Sequence, residues 1–266
     1  MTPDFASTGG GFAPILRREI RAYLTSPLFY VLAGIVLAAT SVMFIYLLYR
    51  FAYMCSQPKM YLPADFERNA TKEVLTNSFF MIHFFLLFTI PILSMRLIAE
   101  ERRSGTLELL VTNPVRDWGL VLGKYFGALA VIGAILILMM AYPLALQWLG
   151  GQPEWPVAIS CFIGLLFIAA AYLSFGLFAS SITESQVVAA VIGYIGLFMV
   201  YILGGLLGNS QNPLVRQAGE ALGIERHFNS FTTGNLQMLD FAYFLLFSAL
   251  FLFLTAQVLG MRRWRI

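Results

Sequence analysis

Two groups of residues and one lone histidine have the types and spacing that chemistry would need. The first group is the adjacent pair Glu100 and Glu101, downstream of Phe79 and His83, which lie four residues apart. Paired glutamates with a histidine are the equipment of an intramembrane metalloprotease of the CAAX-processing type, and a metal-activated water needs several converging ligands. In that enzyme pattern an arginine stands four residues after the second glutamate and the Phe-x-x-x-His element follows the acids. Here Gly105 holds the arginine position, the histidine element precedes the acids, and the other histidine, His227, lies in a remote polar segment. The second group, Gly119-Leu-Val-Leu-Gly123-Lys124-Tyr125, approaches a phosphate-binding loop. It is one residue short between its glycines and has a tyrosine where Ser or Thr must hold magnesium. No catalytic residue and no metal site is expected, and the chain is not expected to hydrolyse ATP itself. His83 remains. An ionisable group in an apolar run could line a substrate path, because such groups face the bundle interior. The preferred reading is a neutral imidazole packed between helices by one hydrogen bond.

The elements that must position these residues belong to an unusually apolar chain. Of its 266 residues 59% are hydrophobic and only 12% charged, and the mean hydropathy is +0.77. A soluble core of this size has no use for so much apolar surface, so the composition implies an integral membrane protein. The net charge is +3, with Lys and Arg gathered at the ends of apolar runs. That pattern orients a chain in a bilayer and lacks the basic stripe of a nucleic-acid binder. Cys55 and Cys161 stand in unlike settings and read as two separate thiols.

Apolar runs long enough to cross a bilayer, which takes about 20 helical residues, recur six times. The expected spans are residues 28–49, 78–95, 125–148, 157–179, 187–207 and 241–260. Pro91 is expected to kink the second span near its inner end, and Pro143 to interrupt the third. Residues 1–13 read as a flexible cytosolic tail, without the layout of a signal peptide. Residues 14–26 form an amphipathic strip, with Leu16, Ile20 and Tyr23 or Leu24 on one face and Arg17, Arg18 and Arg21 on another. Such a strip lies in the headgroup zone with its arginines near phosphates. Residues 209–240 are expected to leave the hydrocarbon, with Leu214, Ala218 and Leu222 opposite Arg216 and Glu220 marking a surface helix. The rest, residues 14–266, makes one six-span domain.

Six spans place both termini on one side. The N-terminal strip, residues 96–124 and the C-terminal tail carry eleven Lys or Arg, against six in the opposite connections. The positive-inside rule makes the first set cytosolic.

Nine formal charges fall within residues 96–124, between two nearly charge-free spans. Arg96 and Glu100 are spaced i,i+4, and Glu100 and Arg103 i,i+3, so the second helix can continue into water. Ser104 and Gly105 break it. Thr106 can then cap a short helix over residues 107–112, stopped by Asn113 and Pro114. Leu107, Leu110 and Val111 share its inner face, while Glu108 and Thr112 point outward. Trp118 and Lys124 mark the return to the membrane as an interfacial anchor. A short rigid peg joined tightly to two spans is built to receive mechanical work from a soluble partner.

The run EERRSGTLELLVTNP followed by VLGK resembles the loop between the second and third spans of ABC-2-type ABC transporter permeases, and more closely that of their gliding-motility-associated branch. The likeness extends to REIRAYLTSP, to IGLLFIAAAYLSFGLFASSITESQVVA and to LGIERHFNSFTTGNLQMLDFAYF, and so covers nearly the whole chain. It implies an all-α integral membrane fold of the type V exporter kind: six transmembrane helices, an N-terminal interfacial helix carrying Arg17, Arg18 and Arg21, and a cytosolic coupling helix. It implies that Glu100, Glu101, Arg103, Gly105, Thr106, Glu108, Thr112 and Pro114 belong to the region that docks on a separate ATPase. That partner, in two copies, would bind the ATP and magnesium, and this chain would need no cofactor. A second permease copy or a related membrane subunit, including a gliding-type auxiliary subunit, would complete the complex in the bacterial cytoplasmic membrane. The expected function is that of an exporter permease; the alternative is a non-transporting membrane anchor or mechanotransmission subunit.

Overall fold

The computed structural model describes residues 12–58, 69–105 and 117–263. Every regular element among them is helical. An amphipathic helix, α1 (Phe12–Leu24), is followed at once by α2 (Pro27–Ser56). Ser26 between them is extended, as a residue before proline must be, and Pro27 opens the next helix where its missing N–H costs nothing. A π-helical turn, Thr71–Thr76, leads into α3 (Asn77–Ser94), and the short α4 (Ala99–Arg103) continues the same rod. Then come α5 (Asp117–Met139), α6 (Ala141–Trp148), α7 (Trp155–Ile182), α8 (Gln186–Gly208), α9 (Pro213–Leu222), α10 (Ile224–Thr232) and α11 (Met238–Arg263).

Six of these rods are long and apolar enough to cross a membrane: Pro27–Ser56, Thr71–Arg103, Trp118–Trp148, Trp155–Ile182, Gln186–Gly208 and Met238–Met261. Each contains one expected span and extends past it. Proline explains the break in the third, because the Pro143 ring cannot donate to Met139 and the helix parts at Met140, one turn earlier. Pro91, where a kink is expected, lies inside α3. The helix runs through it, with Pro91 packed against Gly193 of α8, and comes apart only at residues 95–98. There Ser180 of α7 repairs the break: its Oγ accepts from the Ile98 and Ala99 amides at 3.1 and 3.0 Å and donates to the Met95 carbonyl at 3.0 Å.

The core is built round α3 and α7, whose most apolar stretches are each 61% buried, against 22% for α2 and α8. Small residues put α7 in the middle. Ser160, Gly164, Ala171, Ser174, Gly176, Ala179 and Ser180 let neighbours approach its backbone, as membrane helices require in place of a hydrophobic drive.

Residues 209–240 do not simply leave the bundle. The surface helix expected there exists as α9, but Leu214 and Leu222 are exposed and the buried residue is Gly219, pressed on Gly208 and Leu207. Close backbone approach to α8 has outweighed the leucine stripe. The chain then reverses, and α10 sinks between α7 and α8. Phe228 and Phe231 are wholly buried, a Cβ on Gly164 would stand 2.8 Å from Phe231, and Phe228 reaches the ring of His83 at 5.3 Å.

Candidate functional site

Four charged side chains meet where the face of the bundle that carries residues 96–124 closes over. Lys124 on α5 places Nζ 2.8 Å from Glu19 Oε1 on α1 and 3.0 Å from Glu101 Oε1 on α4. Arg18 on α1 bonds the same Glu101 oxygen and lies 3.4 Å from Glu19. Lys124 is 1% exposed and Glu19 7%, which rules out the interfacial anchor expected of Lys124. A buried ammonium is tolerable only when paired, and here two carboxylates surround it.

Local sequence explains how charge comes to be buried here. Gly123 and Gly127 are one turn apart on α5, and α1 lies in the notch they leave. A Cβ on Gly123 would stand 2.8 Å from Ile15, and one on Gly127 2.7 Å from Glu19. That close approach rotates α1 so that Ile15, Glu19 and Tyr23 face inward: of the expected face Tyr23 is buried, Leu16 and Ile20 are half-buried and Leu24 is exposed, while Arg17, Arg18 and Arg21 stay exposed. The near phosphate loop thus proves to be a packing notch followed by a buried lysine.

Further bonds tie this corner to the rest of the molecule. Tyr23 Oη donates to the Leu93 carbonyl at 2.8 Å, and burial, reinforced by Glu19, raises its pKa so that it stays a donor. Arg96 bonds Ser26 Oγ at 3.0 Å and Glu100 at 3.2 Å, the i,i+4 pair expected from spacing. Arg102 donates to the Ser181 carbonyl at 3.0 Å and pairs with Glu184 at 2.8 Å, joining α4 to the turn between α7 and α8. Burial works against the charge of Arg18, but Glu101 and Glu19 outweigh it and its pKa rises. A cavity of about 350 Å³ opens among Arg18, Tyr23, Arg96, Glu100 and Lys124.

The residues expected to act together are therefore divided. Glu100 is exposed and Glu101 is turned inward, committed to Lys124 and Arg18. Arg103 is exposed, and it is the unheralded Arg102 that makes the tie to α7. Gly105 stops α4 with φ +68°, a left-handed conformation that only glycine adopts freely. Thr106, Glu108, Thr112 and Pro114, with the coupling helix itself, lie outside the described residues. His83 is far from the glutamates in partnership as in sequence: it is fully buried, and its Nε2 meets Tyr172 Oη at 2.7 Å. Among the described residues no three His, Cys, Asp or Glu side chains are grouped to hold a metal. Sequence reasoning missed Glu19, Lys124 and Arg102. The available signal was Glu19 as the one acid of the amphipathic strip, set against a lysine inside a Gly-x-x-x-Gly spacing.

Six membrane-length helices and an amphipathic helix at the bundle's edge, joined to α4 and α5 by a buried charge cluster, define a multi-pass membrane protein. The model of the ABC-2 family transporter proteins matches residues 13–262, and the chain belongs to that family. The family is one of membrane subunits of ABC transporters. A search of curated proteins gives no match.

Proposed function

We propose that this chain is the permease subunit of an ABC exporter in the bacterial cytoplasmic membrane. Separate ATPase subunits, two per complex, dock from the cytosol on the loop that contains Glu108, and they bind the ATP and magnesium. A second permease copy or a related membrane subunit completes the pathway against the sparsely buried faces of α2 and α8.

The observation that carries this reading is the ion pair between Glu101 and Lys124. These residues stand at opposite ends of the loop, on α4 and α5, yet their charged atoms are 3.0 Å apart. A pull on the loop therefore moves both ends together, and Glu19 and Arg18 add α1 to the same body. Arg102 carries the displacement to α7 and α8. Lys124, Glu19 and Glu101 are largely buried, where attraction is least screened, so that part of the linkage is stiff.

The docking half of the proposal is tested by Glu108→Lys, which reverses charge on the outward face expected of the coupling helix. Membrane insertion is expected to persist, while co-purification of the ATPase falls by about tenfold, the scale of one reversed interfacial charge. Co-purification at the wild-type level with an unaltered ATPase rate would refute it. Stimulation of ATP hydrolysis by transported substrate in vesicles separates a permease from a non-transporting anchor.

A further inference from the structure

On the face of the bundle opposite the charged loop, α8, α9 and α10 border an open cleft of about 510 Å³. Two of its walls are bare backbone. Gly204 and Gly208 of α8 face Gly223 and Gly219, and a Cβ on Gly204 would stand 2.5 Å from Gly223, while one on Gly219 would collide with Gly208 and Leu207. The shape is therefore set by helix contact and not by side-chain rotamers.

The polar groups come chiefly from α10, which is held from behind. His227 stands between two acceptors, with Nδ1 2.7 Å from Asp240 Oδ1 and Nε2 3.3 Å from the Ala221 carbonyl. It stacks on Tyr243 at 4.1 Å, and Tyr243 Oη donates to the Leu222 carbonyl at 2.8 Å. With Phe228 and Phe231 wholly buried, α10 has little freedom to turn, and it presents Glu225, Arg226 and Asn229 to the cleft. Phe80 of α3 and Asn209 at the end of α8 complete the lining.

The charges in this cleft are unevenly matched. Glu220 is paired with both nearby arginines, bonding Arg226 and lying 3.7 Å from Arg216. Glu225 is half-buried and makes no ion pair among the described residues. Asn229 Oδ1 accepts from Thr232 at 3.0 Å, which leaves its amide N–H groups to donate outward. A carboxylate in an open cleft that an aromatic ring also lines suits a positive group with hydrogens to donate. The neighbouring carboxamides suit a hydroxyl, and a volume of this order holds a small molecule.

We propose that this cleft binds a small hydroxylated organic ammonium group, with the ammonium on Glu225, the carbon chain against Phe80 and the hydroxyl oxygen at Asn229. Free aminoalcohols and the ethanolamine headgroup of a phospholipid share this chemistry. The proposal stands apart from the ATPase reading, since none of the residues lining the cleft belongs to the Lys124 cluster.

The test uses the full chain in nanodiscs of phosphatidylcholine, titrated near neutral pH with ethanolamine and, separately, with ethylene glycol, and followed by saturation-transfer NMR. Ethanolamine is expected to give a saturable response and ethylene glycol none. Glu225→Gln is expected to weaken ethanolamine binding by about tenfold or more, the loss that goes with a charge-assisted contact. Phosphatidylethanolamine added to the nanodiscs suppresses the response if the headgroup is the occupant, and leaves it unchanged if the ligand is a free amine. Equal responses to ethanolamine and ethylene glycol, no saturable response, or wild-type binding by folded Glu225→Gln would each overturn the proposal. Should that variant fail to fold, the contrast between the two probes on the wild-type chain still decides.

Discussion

Lys124 is the residue on which the charged corner depends. Replacing it with methionine keeps the stem but removes the buried ammonium between Glu19 and Glu101 and leaves the half-exposed Arg18 beside them. Breaking a buried pair from one side costs about 3–5 kcal/mol, so Lys124→Met is expected to lower the thermal midpoint of the purified protein clearly. Adding Glu19→Gln to it is expected to restore part of the loss, because one uncompensated carboxylate is removed. An unchanged midpoint in the single variant would show that the cluster does not brace the structure. This corner was only half legible in the sequence. A lysine after a tryptophan at the head of an apolar run has the pattern of an interfacial anchor, and nothing local to Lys124 says otherwise. Its burial follows from the notch at Gly123 and Gly127, which matters only once α1 is known to lie on α5. Glu101 shows the same gap: its spacing placed it on an exposed helix, while its partner Lys124 is 23 residues further along the chain and Arg18 is 83 residues before it.

Helices that cross the bundle were easier to read than those that dip into it. Length and apolarity alone located six rods, because a bilayer-length run leaves little else for a chain to do. The sinking of α10 was not readable that way: Ile224, Phe228 and Phe231 look like an ordinary amphipathic face, and the glycines that admit it, Gly164 and Gly204, sit on other helices. The break at residues 95–98 was not foreseen, since the spacing of Arg96 and Glu100 has the helix continue, and the oxygen that supports it, Ser180 Oγ, comes from α7. That oxygen holds two backbone amides that have no helical partner. Ser180→Ala removes it without opening much space, and each amide left without a bond costs about 1–3 kcal/mol. Hydrogen exchange at Ile98 and Ala99 is expected to speed up by about tenfold or more, with α2 and α5 unaffected. Unchanged exchange at those two amides would mean that the break is supported in some other way.

At the scale of the whole molecule the two faces of the bundle differ in what they hold. One gathers α1, α4 and the start of α5 around the Lys124 cluster; the other gathers α9, α10 and the glycine-walled cleft. If the charged face meets the cytosol, as eleven basic residues against six imply under the positive-inside rule, the proposed ATPase docks there and α10 lies on the far side. The orientation is open to direct measurement. Ser104 at the end of α4 and Gln211 between α8 and α9 are both exposed and lie on opposite faces. Cysteines are placed at each position in turn, after Cys55 and Cys161 have been replaced, and treated in intact cells with a maleimide that cannot cross the membrane. Gln211→Cys is expected to label at once, and Ser104→Cys only after permeabilisation. The reverse pattern would invert the molecule and put the proposed ATPase contact on the wrong side. Labelling of both in intact cells would break the six-span count itself, because three crossings, an odd number, lie between these two positions and fix them on opposite sides.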